Sequence, residues 1–178
     1  YSDWSSDVCS SDLSALEPVK RHGEPPALIP CLDAADEIRK IREAIRCFRT
    51  GKNVSLGIIL KTDAAAKDMY EVLAGYDGVE ENQVEENQVE GNGEEACDIS
   101  LLTRESTSFQ NGISITSVRM SKGLEFDEVL IPQADCRTYT SDFDRGLLYI
   151  ACTRAMHRLT LTYSGKETEF ISGQPPFL

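Results

Sequence analysis

The stretch ISITSVRMSKGLEFDEVLI, residues 113–131, decides the fold. It begins with an apolar β-rich run, Ile113–Val118, and passes through a polar segment. It resumes as a second buried run at Val129–Ile131. Two such runs joined by a short polar link read as strands of a covered sheet. The link carries hydroxyls at Ser117 and Ser121, cations at Arg119 and Lys122, a glycine at Gly123, and then Glu125 and Phe126. Hydroxyls, cations and a glycine at the carboxyl end of a strand suit contact with phosphate, because glycine lets the backbone approach the anion.

Working outward, the same alternation recurs. Upstream, Ala27–Leu32 reads as a short strand. Asp33 then caps a helix whose apolar stripe is Ala34, Ile38, Ile41, Ile45 and Phe48. Asp36 and Glu37 lie near its positive end, Arg46 and Arg49 in its last turn, and Gly51 just beyond. Val54–Leu60 is a continuous apolar run suited to a buried parallel strand. Asp63–Leu73 is a second helix with Ala65, Met69, Val72 and Leu73 inward and Gly75 at its end. Ile99–Leu102 is another short strand. Downstream, Ser141 caps a helix predicted to run to about Ala155, with Leu147, Leu148, Ile150 and Ala151 apolar, and Arg158–Tyr163 is a final strand. Strands alternating with helices imply an α/β fold: a mostly parallel sheet with helices on both faces. Ligands in such folds sit at the carboxyl ends of the strands.

A chain of 178 residues with 40% hydrophobic and 27% charged residues fits one globular domain. Its net charge of −12 is concentrated. Residues 77–98 carry nine acidic side chains and no basic one, so the rest balances at 18 positive against 21 negative. Within them VEENQ (79–83) is followed by VEENQ (84–88) and VEGNG (89–93), a period that fits neither helix nor strand. Residues 76–98 are therefore expected to form an acidic low-complexity loop. Residues 1–13 also lack a period, and DVCSSDL (7–13) is similar to a sequencing adapter read as protein. That segment is expected to be an adapter-derived artefact or a disordered tail, with the domain over 14–168 and a tail over 169–178. Six scattered cysteines without a C-x-x-C pair give no support to zinc or thioredoxin chemistry. No apolar run approaches a membrane span of ~18 residues, and no signal peptide is evident. A cytoplasmic location follows as the expectation.

KGLEFDEV (122–129), followed by LLYIACTRAMHRLTLTY (147–163), is similar to motifs V and VI of superfamily 1 helicases of the UvrD/PcrA/Rep type. VSLGIILKTDAAAKDMYEVL resembles their motif IV, and RHGEPPALIP resembles the lead-in to their second RecA-like domain. The CTRAM form looks closest to the HelD-like branch. The resemblance covers about residues 17–165 without the acidic repeat. It implies a RecA-like second domain of a P-loop NTPase, and a sequence lacking G-x-x-x-x-G-K-[ST] carries no P-loop of its own.

Several roles follow from the resemblance. Arg154 would be the catalytic arginine that reaches the γ-phosphate. Glu125 would contact the nucleotide, typically at the ribose. Lys61 stands where the family has a second phosphate-contacting arginine, and Gly123 would let backbone approach the nucleotide. Ser117 and Arg119 stand where a threonine and a histidine lie near the nucleic-acid backbone, with Lys122 beside them. The cofactor would be ATP with Mg²⁺, and the metal ligands would lie on an absent first RecA-like domain. No metal site is assigned here. The implied partners are that first domain and single-stranded DNA or a duplex-DNA junction, with no membrane. RNA polymerase replaces DNA if the HelD-like resemblance governs, and a non-catalytic binding remnant is the third reading. The isolated chain would be inactive. Arg154 is expected at the carboxyl-side edge of the sheet. Asp144 and Arg145 are expected to form an orienting pair, Tyr149 to sit in the core, and His157 at the surface.

Overall fold

The computed structural model describes residues 25–74, 99–103 and 111–171. The adapter-like segment, the acidic repeat, Gly75 and residues 172–178 lie outside them. Nine elements follow in order: β1 (Ala27–Cys31), α1 (Ala34–Arg49), β2 (Ser55–Leu60), α2 (Asp63–Leu73), β3 (Ile99–Leu101), β4 (Gly112–Ser117), β5 (Phe126–Ile131), α3 (Asp142–Cys152) and β6 (Ala155–Ser164). The strands form one six-stranded sheet in the order β1-β6-β5-β2-β4-β3. Every neighbouring pair is parallel. This is the α/β architecture of a RecA-like domain.

Helix starts follow from local chemistry. The side chains of Asp33 and Thr62 accept the backbone N–H groups of Asp36 and Ala65. Ser141 opens α3 through a reciprocal capping box with Asp144. One face of the sheet is covered by α1 and α2, which bury Ile41, Ile45, Phe48, Ala66, Met69 and Leu73 against Leu56, Ile58, Leu60, Ile113, Ile115 and Leu130. The other is covered by α3 and the irregular segments, which bury Val118, Ala134, Tyr139, Leu148, Ala151 and Ile171 against Ile59, Val129, Ile131 and Leu161. The adjacent interior strands β2 and β4 are buried along their whole length, which explains their unbroken apolar or small-residue sequences.

The structure departs from the sequence reading at several points. On α2 the inward residues are Ala66, Met69 and Leu73, while Val72 is exposed, because the helix phase is set by contact with β4 and β3. α3 ends at Cys152, and Ala155 already pairs with Phe126 as the first residue of β6. β5 begins at Phe126 rather than Val129, and a register shift between Phe126 and Glu128 separates its first residue from the regular ladder. Ile171, expected in a tail, is buried.

The parallel sheet has two distinct edges. Lys61, the turn after Ser117, and the start of α3 lie where strands end. The end of α1, the approach to β2, Glu125 and Arg154 lie where strands begin. Six residues of strand span about 20 Å between them.

Candidate functional site

Arg154 sits between the end of α3 and the start of β6, so it belongs to the amino edge of the sheet. The expectation of a carboxyl-edge position fails because the residue precedes its strand, and all six strands point the same way. Its guanidinium is held by neutral oxygens. Nε donates to Ile150 O at 3.1 Å, Nη1 to Leu124 O at 3.3 Å, and Nη2 to Thr153 Oγ1 at 3.2 Å. Among the described residues no carboxylate pairs with it. Arginine has five N–H donors, so these three bonds leave two for a ligand. Phe126 donates its backbone N–H to Arg154 O at 2.9 Å. The two segments singled out in the sequence, 113–131 and 144–163, therefore meet at one seam. Glu125 lies within that seam and is exposed. Gly123 precedes it with φ +85° and nothing within 4 Å of an added Cβ, which leaves its backbone open to a ligand.

Two further residues that the sequence reading did not single out hold this seam. Asp127 Oδ2 accepts the N–H groups of Val54 and Ser55 at 2.8 and 3.0 Å and the Ser55 hydroxyl at 3.2 Å. Burial raises the Asp127 pKa, but the hydrogen bonds from Val54 and Ser55 outweigh it and hold the carboxyl below its ordinary value. Gly57 lies against the ring of Phe126: a Cβ there would stand 2.7 Å from Phe126 Cγ. The bulge brings Phe126 into the cluster containing Val129 and Ile131, a placement strict two-residue alternation would not give.

The carboxyl edge holds the remaining predicted residues. Lys61 Nζ pairs with Asp144 Oδ1 at 2.7 Å and donates to Thr138 O at 2.6 Å. Lys61 thus anchors the start of α3 on the end of β2, and the structure does not bring it together with Arg154 and Glu125. Asp144 also accepts the Thr140 and Ser141 N–H groups at 3.0 and 3.2 Å. The Lys61 ammonium first, then the Thr140 N–H, hold its carboxyl well below the usual carboxylate range. The expected pairing of Asp144 with Arg145 is not present, because adjacent helical residues point in different directions. Arg145 is exposed.

Ser117 is buried. Its hydroxyl donates to Asp63 and accepts the Met120 N–H at 3.3 Å, so it organises the turn after β4 and does not meet solvent. Arg119 and Lys122 on that turn are exposed. Tyr149, expected in the core, is 47% exposed, because the inward side of α3 is taken by Leu148, Ala151 and Cys152. His157 is at the surface, 3.8 Å from Asp127 Oδ1.

Glu37 was read as a dipole residue. It is buried, and its Oε1 accepts the Gln133 N–H at 2.9 Å and the Thr162 hydroxyl at 2.7 Å. The signal was present: Glu37, Ile41 and Ile45 share one helical face. Among the described residues no three His, Cys, Asp or Glu side chains cluster as a metal site, and no helix is long and apolar enough to cross a membrane.

Residues 112–162, which span β4, β5, α3 and most of β6, match the family described as UvrD-like helicase C-terminal domain. The fold is also similar to the crystal structure of the C-terminal domain of a possible DNA helicase from Lactobacillus plantarum WCFS1. The TM-score is 0.67 at 22% identity, covering 86% of this chain and 83% of that one. No curated protein matches the chain.

Proposed function

We propose that this chain is the second motor domain of an ATP-dependent, UvrD-like helicase, and that its amino edge faces the nucleotide. The observation that carries the reading is the guanidinium of Arg154. It is tied by Nη1 to Leu124 O beside exposed Glu125, and no carboxylate among the described residues neutralises it. Phosphoryl transfer spreads negative charge over the γ-phosphate oxygens, and a preset guanidinium there stabilises the transition state more than bound ATP.

When bound, ATP with Mg²⁺ would supply the phosphoryl chemistry. Arg154 would hold the γ-phosphate with its two remaining donors. Glu125 would accept hydrogen bonds from the ribose hydroxyls, and the open Gly123 backbone would permit close approach. The phosphate cradle and the metal ligands would come from a first RecA-like domain. Nucleic acid would follow the carboxyl edge, where Arg119 is exposed on the turn after β4, with exposed Lys122 further along the link toward β5. Binding there would weaken as salt rises. Lys61 serves this arrangement from a distance, by fixing the start of the helix that leads to Arg154.

The test is Arg154→Ala in the full-length protein. Turnover should fall by about 10³ or more, the range for an arginine finger, while ATP affinity changes far less. Arg154→Lys should rescue poorly, since a point charge lacks the planar fork. A normal ATPase rate in Arg154→Ala would reject the reading. The CTRAM sequence supports a second reading, a HelD-like factor that remodels RNA polymerase. ATPase stimulation by RNA polymerase rather than single-stranded DNA would select it.

A further inference from the structure

Three oxygens hold the guanidinium of Arg154, and one of them differs in kind. Ile150 O and Leu124 O are backbone carbonyls, which any residue at those places would supply. The third is the side-chain hydroxyl of Thr153, 3.2 Å from Nη2. Thr153 is the last residue of the α3 end and is exposed, so its hydroxyl adds nothing to the core.

That hydroxyl has one proton, and the proton is engaged. Thr153 Oγ1 donates to Ile150 O at 2.8 Å. Toward Nη2 the oxygen can therefore only accept. The bond to the carbonyl three residues back is by itself ordinary helix-end chemistry, which Thr50 repeats with Cys47 O at 3.1 Å where α1 ends. The guanidinium on the other side gives Thr153 a further use. Nε and Nη2 share one edge of the planar group, and two oxygens already bonded to each other, Ile150 O and Thr153 Oγ1, fill that edge.

Two anchors alone would let the plane turn about the line that joins them. Ile150 O and Leu124 O are such a pair, on Nε and Nη1. The Thr153 bond to Nη2 lies off that line and fixes the plane. Nη1 and Nη2 then each keep one N–H, a fork that suits an anion with two adjacent oxygens. An arginine otherwise loses much rotamer freedom when a ligand orders it.

We infer that Thr153 is a positioning residue for Arg154: its hydroxyl, oriented by Ile150 O, sets the guanidinium plane so that the two free N–H groups meet the phosphoryl oxygens together. The inference rests on the nucleotide reading of Arg154 and adds the side chain that presets it.

Thr153→Val keeps the branched shape and removes the hydroxyl. In the full-length protein its ATPase turnover should fall about tenfold, equivalent to about 1.4 kcal/mol of transition-state stabilisation, while KM for ATP stays within about threefold of wild type. Thr153→Ser restores the hydroxyl and should recover turnover to within about threefold of wild type. In an Arg154→Ala background, Thr153→Val should change turnover by less than about twofold, because its effect passes through the guanidinium. A structural role would lower turnover in both backgrounds alike. The inference is overturned by turnover within about twofold of wild type in Thr153→Val, by a Thr153→Ser enzyme as slow as Thr153→Val, or by a loss that persists undiminished in Arg154→Ala. A fall of more than about 5 °C in the melting temperature of the 178-residue chain carrying Thr153→Val would place the hydroxyl's work in the helix end and overturn it too. The two readings fail separately. Normal turnover in Arg154→Ala removes the finger, whereas normal turnover in Thr153→Val beside a defective Arg154→Ala removes only the positioning.

Discussion

Gly57→Ala adds one methyl group at the most crowded point of the sheet. Its Cβ would stand 2.7 Å from Phe126 Cγ and Cδ2 and 2.9 Å from Cδ1. Carbon atoms prefer separations of about 3.5–4.0 Å, so roughly 1 Å must be found. Phe126 is fully buried, and its backbone is fixed by the bond to Arg154 O, so the ring has little room to retreat. Overpacking of this kind costs about 1–3 kcal/mol. Alanine recovers part of that, about 0.5–1 kcal/mol, by losing less backbone entropy than glycine. A net loss of about 1–2 kcal/mol should lower the melting temperature by roughly 2–8 °C for a domain of this size. Thermal denaturation followed by circular dichroism reads the shift directly. Phe126→Leu in the same chain should offset part of the loss, because the smaller side chain vacates the contested space. An unchanged or higher melting temperature in Gly57→Ala would refute the reasoning. So would a double variant whose losses simply add.

Glu37→Ala would leave the Gln133 N–H and the Thr162 hydroxyl without their acceptor. It should cost about 2–6 kcal/mol at ~1–3 per stranded group, whereas Glu37→Gln keeps an acceptor oxygen and should cost about 1 or less; urea titration separates the two. Asp144→Asn should destabilise the chain by about 2 kcal/mol at pH 7, less than the 3–5 of a fully buried broken pair because Lys61 keeps a quarter of its side chain in water. The folded Asp144 pKa is depressed, so its contribution is fully present above the ordinary carboxylate value of about 3.9 and is lost as pH falls through the folded value. The gap between Asp144→Asn and wild type should therefore narrow below pH 4 in denaturation measured across pH, and a gap independent of pH would refute the assignment.

Much of this protein was legible in order along the chain. Each helix start is local chemistry: Asp33 and Ser141 cap their own helices whatever lies around them. The alternation of apolar runs with helical stripes requires a covered parallel sheet, since both faces of β2 and β4 must be buried. The segments that meet at the candidate site were legible through the resemblance of KGLEF and TRA, in that order, to helicase motifs V and VI. Even buried Glu37 was readable from its spacing with Ile41 and Ile45. What required the tertiary structure was which groups share a place. Arg154 lies on the amino edge because β6 starts after it, and strand direction is a property of the assembled sheet. Lys61 meets Asp144 rather than a ligand, and Gly57 meets Phe126 across a bulge, through contacts between elements far apart in sequence. Tyr149 reads as core by composition but faces water, because three neighbours on α3 already fill the space above the sheet. Local propensity and periodicity act over one or two turns of chain. The partners of a charge, and the face on which a ring is left, are set by packing that only the closed sheet supplies.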